Sequence, residues 1–199
     1  MKSMTGRPET RRRALIGAAL GEIADRGSLD VTVARIAARA GVSPALAHHY
    51  FGAKEDLILA TMRHLLGAYA TGVAAGLRRA PTPRARLSVV VRASFSPEQF
   101  DRVTTGAWIT FYGKALSTPA AARLLTVYRR RLRSNVVSAL GRLLPPPEAR
   151  RVAEGVGALI DGVYLREALA DRPAGPAAAI ALVEDYIDLT LARSAGARP

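Results

Sequence analysis

An all-α fold is what this sequence predicts, on three observations. Apolar residues recur at spacings of three and four along nearly all of its 199 residues. A serine or threonine followed by proline, the signature of a helix start, occurs at Ser43-Pro44, Thr82-Pro83, Ser96-Pro97 and Thr118-Pro119. No segment shows the period-2 alternation of a strand, a hairpin signal or an internal repeat. Roughly nine helices are expected.

The first helix, from about Thr10, carries Leu15, Ile16, Ala19, Leu20 and Ile23 on one face and stops at Gly27. Thr32 caps a short second helix bearing Val33, Ile36 and Ala37, which ends at Gly41. Ser43 and Pro44 open a third, which Gly52 ends after Phe51. A long segment with Leu57, Ile58, Met62, Leu65, Tyr69, Val73 and Leu77 on one face reaches the break at Pro81-Thr82-Pro83. Helices follow from Pro83, Pro97 and Pro119. The last of these runs through Leu125, Leu132, Val136 and Leu140 to Pro145-Pro146-Pro147. Two more cover Glu148 to about Asp171 and Pro176 to about Arg193.

Composition narrows the partners. Apolar residues make up 49 % and charged residues 23 %, an ordinary globular balance. Twenty-nine Lys and Arg against 16 Asp and Glu leave a net charge of +13, which favours nucleic acid or an anionic surface, although an Arg-rich solvated face gives the same number. There is no cysteine, so disulfide and thiolate chemistry are excluded and a cytoplasmic setting is expected. Lys2, Arg7, Arg11, Arg12 and Arg13 before Ala14–Gly21 resemble the start of a signal peptide, but Glu22 and Asp25 interrupt the apolar run. No run approaches the ~20 apolar residues of a membrane span, and no membrane partner is expected. The histidines at 48, 49 and 64 make no metal set. No phosphate-cradling glycine loop or Ser/His/Asp signature is present, so neither an enzyme nor a cofactor is expected.

Function concentrates between Thr32 and Phe51. Two short helices are joined by Gly41-Val42-Ser43, where Gly41 supplies a left-handed backbone position, Val42 can tuck between the helices, and the small Ala37 permits a close crossing. That is a helix-turn-helix, whose second helix enters the major groove while the first crosses the phosphate backbone. Thr32 and Ser43 cap helices whose first amides can meet phosphate. Pro44, Ala45 and Leu46 open the reading helix and can offer only apolar contact, for instance to a thymine methyl. His48 and His49 can donate to base edges or phosphates, though His49 could equally pack against helix one. Tyr50 offers a hydroxyl and Lys54 a charge to the backbone. Arg35 and Arg39, on the preceding helix, can reach phosphate or simply face solvent. The basic arm before Ala14 can lie along the minor groove.

The segment TVARIAARAGVSPALAHHYFGAKEDL, from Thr32 to Leu57, resembles the DNA-binding domain of the TetR family of repressors, and the match extends from about Thr10 to Leu66. It departs from the family at Ala53, where a Ser or Asn cap is usual, and at His48, where many members carry Tyr. The resemblance implies a three-helix DNA-binding domain over residues 1–66 and a helical ligand-binding and dimerisation domain over 67–199. The stretches AWITFYGKAL (Ala107–Leu116), RRRLRSNVVSAL (Arg129–Leu140) and ALIDGVYLREAL (Ala158–Leu169) are similar to the BetI branch, whose members answer to choline.

Three aromatic residues, Trp108, Phe111 and Tyr112, fall at i, i+3 and i+4 on one helix face, and Tyr164 lies beside Asp161 on a second helix. Together these residues can cage a quaternary ammonium, since ring quadrupoles attract a desolvated cation, or they can be core. Tyr112 and Tyr164 stand where the choline-responsive branch tends to carry Trp.

A homodimer is expected. Gly155, Ala158 and Gly162 form a small-residue strip, and Ile180, Val183, Ile187 and Leu191 a matching apolar face on the last helix. One short reading helix contacts too few base pairs for operator-level specificity, so two are expected about 34–36 Å apart on a palindrome. The reading is therefore a repressor released from its operator by a small molecule. The alternatives are the same fold used as an activator or with an unrelated hydrophobic ligand, and a helical scaffold or enzyme that does not bind DNA.

Overall fold

A computed structural model describes residues 8–172 and 174–196, and among them there are ten α-helices and no strand. They are α1 (Pro8–Arg26), α2 (Val33–Arg39), α3 (Pro44–Phe51), α4 (Lys54–Leu77), α5 (Pro83–Ser94), α6 (Pro97–Phe100), α7 (Arg102–Ala115), α8 (Pro119–Leu140), α9 (Pro146–Leu169) and α10 (Gly175–Gly196). The tenth helix arises because the segment opened by Ser96-Pro97 breaks at Asp101. That residue is extended (φ −74°, ψ 162°), as suits a residue that opens the next helix.

The chain packs as two units. Among the described residues, those from Pro8 to Leu65 with Arg102–Ala122 form the first, and Leu66–Asp101 with those described between Arg123 and Gly196 the second. Packing thus assigns α7 to the unit that holds the helix-turn-helix, whereas the boundary drawn at residue 66 from sequence order left it in the other half.

In the first unit α1 packs against both α2 and α7. Its apolar face (Leu15, Ala18, Ala19 and Ile23) closes on Val31, Ile36, Ala37, Ala47, Leu57, Ile58 and Ala107. Full burial of such large aliphatic side chains contributes roughly 1.5–3 kcal/mol each, and this cluster holds the short helices α2 and α3, which are too short to persist alone.

In the second unit α10 packs on α9 and α5. Gly155 lies so close to Tyr186 that a Cβ there would overlap its hydroxyl, and Gly76 receives Val89 in the same way. Arg84 of α5 clamps α10, with its Nε 2.7 Å from Asp188 and a second ion pair to Glu184. The hydrogen bond that Arg84 donates to Asp188, then the pairing with Glu184, holds the guanidinium above its ordinary pKa, and Asp188 is held below its own by the same contact. Glu167 accepts hydrogen bonds from the amides of Ala174 and Gly175, which opens α10.

Among the described residues α4 is the one helix with the length and hydropathy of a possible membrane span, contrary to the expectation that no run would approach one. Its apolar residues Leu57, Ile58, Met62, Leu65, Tyr69 and Val73 are nevertheless buried within the protein.

Candidate nucleic-acid interface and effector residues

The turn forms as its residues require. Thr32 is extended and its side chain accepts from the Arg35 amide at 3.3 Å, and Ser43 does the same for the Leu46 amide at 3.2 Å. Gly41 takes φ +67°, and the Val42 amide then donates to the Ala37 carbonyl at 3.0 Å, tying the turn back to α2. Ala47 is fully buried and Val42, Tyr50 and Phe51 pack on the same core, so one side of α3 is committed to the protein. The other side is exposed and carries Pro44, Ala45, His48 and His49, with Leu46 half-buried between them.

Both histidines are therefore on the outer face, and the alternative of a His49 ring packed on α1 does not hold. His49 instead meets Tyr50 edge to face at 5.8 Å. His48 turns back onto its own helix end, where Nδ1 donates to the Gly52 carbonyl at 2.8 Å. Gly52 at φ +73° reverses the chain toward α4.

Three sequence expectations change. Arg35 has a partner within the protein: its Nε lies 3.0 Å from Glu22 of α1. Arg39 joins the same network, 3.3 Å from Glu22 and 2.5 Å from Asp25. Glu22 is held below its ordinary pKa chiefly by the Arg35 hydrogen bond, against burial, with Arg39 adding to it. The contact of Arg39 with Asp25, then Glu22, raises the guanidinium in turn. These two arginines tie α2 to α1. Second, Arg11, Arg12 and Arg13 belong to α1, which begins at Pro8 rather than Thr10, and not to an arm. Arg12 lies 5.2 Å over the Phe51 ring and Arg13 pairs with Glu9. Lys2 and Arg7 lie outside the described residues. Third, Ala53 gives α4 no side-chain cap, but its carbonyl accepts from Asp56 and Leu57, and Glu55 and Asp56 in the first turn complement the helix dipole. Lys54 is 3.4 Å from Asp30.

The Glu22 lock was not foreseen, although a signal was present: Glu22 sits on the face of α1 that carries Leu15, Ala18, Ala19 and Ile23, where a carboxylate must find partners.

The aromatic residues proposed for an effector belong to both units. In the first unit Trp108 stands 6.0 Å from Phe111 and 5.8 Å from Tyr112, ring centre to ring centre. In the second unit Tyr164 is buried, stacked on Phe95 at 5.9 Å and edge-on to Phe100 at 5.1 Å. Its hydroxyl is 2.5 Å from the Ser94 carbonyl and 3.0 Å from that of Gln99. Burial drives its pKa upward, so it stays a neutral donor. Asp161 is ion-paired to Arg129 at 3.7 Å. Trp108 and Phe111 are buried to the same degree as Tyr164.

The apolar face of α10 also turns inward. Val183 and Ile187 are 0 % exposed within the single chain, and Ile180 lines a groove against α5. They pack against their own subunit because α9 and α5 cover that side. The surface left open carries Ala158, Leu165 and Leu169 on α9 and Leu182 and Leu189 on α10.

Comparison with known proteins places this architecture. Residues 15–61 match the model of bacterial regulatory proteins of the tetR family, and residues 83–192 match that of the BetI-type transcriptional repressor C-terminal domain. The chain is 53 % identical over 186 residues to the HTH-type transcriptional regulator BetI of Brucella anthropi, covering 94 % of this chain and 96 % of that one. It belongs to the TetR family. As a BetI-type member it is a DNA-binding transcriptional repressor and not an enzyme. The BetI regulator of Agrobacterium fabrum is 50 % identical over 94 % of this chain and 90 % of its own.

The TetR-family fold recurs in a putative regulator from Pseudomonas aeruginosa at 28 % identity (TM-score 0.80, 94 % and 93 % of the two chains). It recurs also in a putative regulator from Saccharomonospora viridis, solved in complex with choline, at 21 % identity (TM-score 0.76, 90 % and 96 %).

Proposed function

We propose that this TetR-family repressor binds a palindromic operator as a homodimer in the cytoplasm and is released by a small quaternary ammonium, choline being the first candidate. The observation that carries the DNA reading is the outer face of α3. Pro44, Ala45, His48 and His49 are exposed on a helix whose opposite side is locked into the core by Ala47. Leu46 completes the reading surface, and Thr32, Ser43, Tyr50 and Lys54 are the phosphate contacts; each capping hydroxyl accepts an amide and can still donate its own proton.

The dimer is assigned to Ala158, Gly162, Leu165, Leu169, Leu182 and Leu189, the open apolar face of α9 and α10. The choline reading is supported by the BetI relatives and by the choline-bound neighbour. It draws on the aromatic face of α7, Trp108, Phe111 and Tyr112. Residues 1–66 act as the DNA-binding portion and 67–199 as the sensing and dimerising portion. A ligand that couples to DNA binding by about 1–3 kcal/mol suffices for useful release.

The experiment is fluorescence anisotropy of the duplex upstream of the protein's own gene, titrated with protein, with and without choline. Tight, salt-dependent binding that choline weakens supports the whole reading. Binding indifferent to choline, glycine betaine and tetramethylammonium removes the quaternary-ammonium effector and leaves the repressor.

A further inference from the structure

The first unit contains a half-open cavity of about 620 Å³, bordered by the α1–α2 loop, the start of α4, the end of α7 and the start of α8. Small-molecule sites span about 300–1,000 Å³. Leu29, Ile58, Leu59, Ile109, Phe111 and Ala121 supply apolar wall, and Lys54 and Lys114 supply positive charge. We propose that this cavity is a ligand site for an amphipathic organic anion of the medium-chain carboxylate type, which shares Phe111 with the aromatic face of α7 put forward for a quaternary ammonium.

The chemistry of the rim selects the head group. Two exposed acids, Asp30 and Glu55, also line it. The Lys54 side chain is 32 % exposed, whereas its partner Asp30 is 93 % exposed and 3.4 Å away. A lysine so placed keeps a hydrated, loosely held counter-ion, which a ligand carboxylate can replace with a closer contact at lower desolvation cost. The net charge of +13 raises the local concentration of anions around the protein. Leu116, next to the lining residue Ser117 in the α7–α8 turn, is 92 % exposed, an apolar side chain left in water beside the cavity wall.

Two features make the site testable. Gly113 lines the cavity within helix α7, and a Cβ there would meet open space, so a larger side chain can be accepted without a backbone clash. Trp108 is the chain's single tryptophan and its ring is 6.0 Å from that of Phe111, so its emission reports on occupancy. One consequence rests on the reading of Lys54 as a phosphate contact: an anion that engages Lys54 competes with DNA for it.

The test titrates DNA-free, full-length protein with sodium decanoate, following Trp108 emission and checking stoichiometry by calorimetry. The expected result is saturable one-to-one binding, roughly tenfold tighter than octanoate from two more buried methylenes. Decanol should bind more weakly than decanoate, and Lys114→Gln should narrow that gap. Gly113→Leu should weaken decanoate by at least about tenfold while leaving duplex affinity unchanged. Absence of saturable binding, binding indifferent to Gly113→Leu, or decanol binding as tightly as decanoate overturns the proposal. If decanoate binds as stated but leaves duplex affinity untouched, the site stands and the Lys54 phosphate contact falls.

Discussion

Arg39 of α2 lies across Gly21 of α1, its guanidinium filling the space that a side chain at position 21 would need. From there it reaches Glu22 and Asp25, while Arg35 takes the other oxygen of Glu22. A four-residue ion network thus sets the angle between α1 and the helix-turn-helix without touching the outer face of α3.

Glu22→Gln should therefore weaken duplex binding a few-fold although Glu22 itself is negative and buried. A merely electrostatic role would do the opposite, because removing an anion beside a DNA-binding surface strengthens attraction. The pH dependence has a definite sign. The folded-state pKa of Glu22 lies below its ordinary 4.5, so its contribution is present above that pH and is lost as pH falls through the folded value. Thermal melts of the wild type should show an acidic limb below about pH 4.5 that is shallower in Glu22→Gln; identical limbs would remove the lock from the account.

Lys54→Ala should lower affinity about equally for operator and random duplex and should reduce the salt slope by about 1, the mark of one lost phosphate contact. The half-buried Lys54 already has Asp30 at 3.4 Å, so Asp30→Asn should free the ammonium and move affinity the other way. Competition binding at several salt concentrations measures both. An unchanged slope in Lys54→Ala would assign this lysine to α4 alone.

Tyr164→Phe removes a buried hydroxyl while keeping its stacking on Phe95 and Phe100. Two carbonyls, of Ser94 and Gln99, lose their donor. The expected cost is about 1–3 kcal/mol, or a fall in Tm of about 2–4 °C per kcal/mol for a chain this size. Because the residue is core, choline response should survive in the folded variant. Loss of response at unchanged Tm would return Tyr164 to the effector site.

The two faces of α10 separate association from folding. Ile187→Ala creates a cavity in a fully buried position and should cost about 2–5 kcal/mol, seen as a lower Tm. Leu189→Glu, on a side chain 67 % exposed in the single chain, should leave the fold intact and shift the protein toward monomer in sedimentation or light scattering. Should Leu189→Glu remain dimeric, the interface lies elsewhere.

What the sequence determined by itself is local. Thr32, Gly41, Ser43, Pro44 and Gly52 act through backbone conformation and capping within a few residues, so the helix-turn-helix and nearly every helix boundary could be read directly. The exception was Asp101, where one expected helix became two. The tertiary structure decided what each face meets. Periodicity marks Val183 and Ile187 as apolar but does not say whether α5, α9 or a partner covers them. Charge marks Arg35 as a possible phosphate ligand, yet Glu22, thirteen residues earlier, claims it. Trp108 and Tyr164 look like one aromatic set in sequence, but local spacing does not say which rings each one meets: Phe111 and Tyr112 for the first, Phe95 and Phe100 for the second. For Val183, Arg35 and Tyr164 the partner is distant along the chain, and only long-range packing selects it.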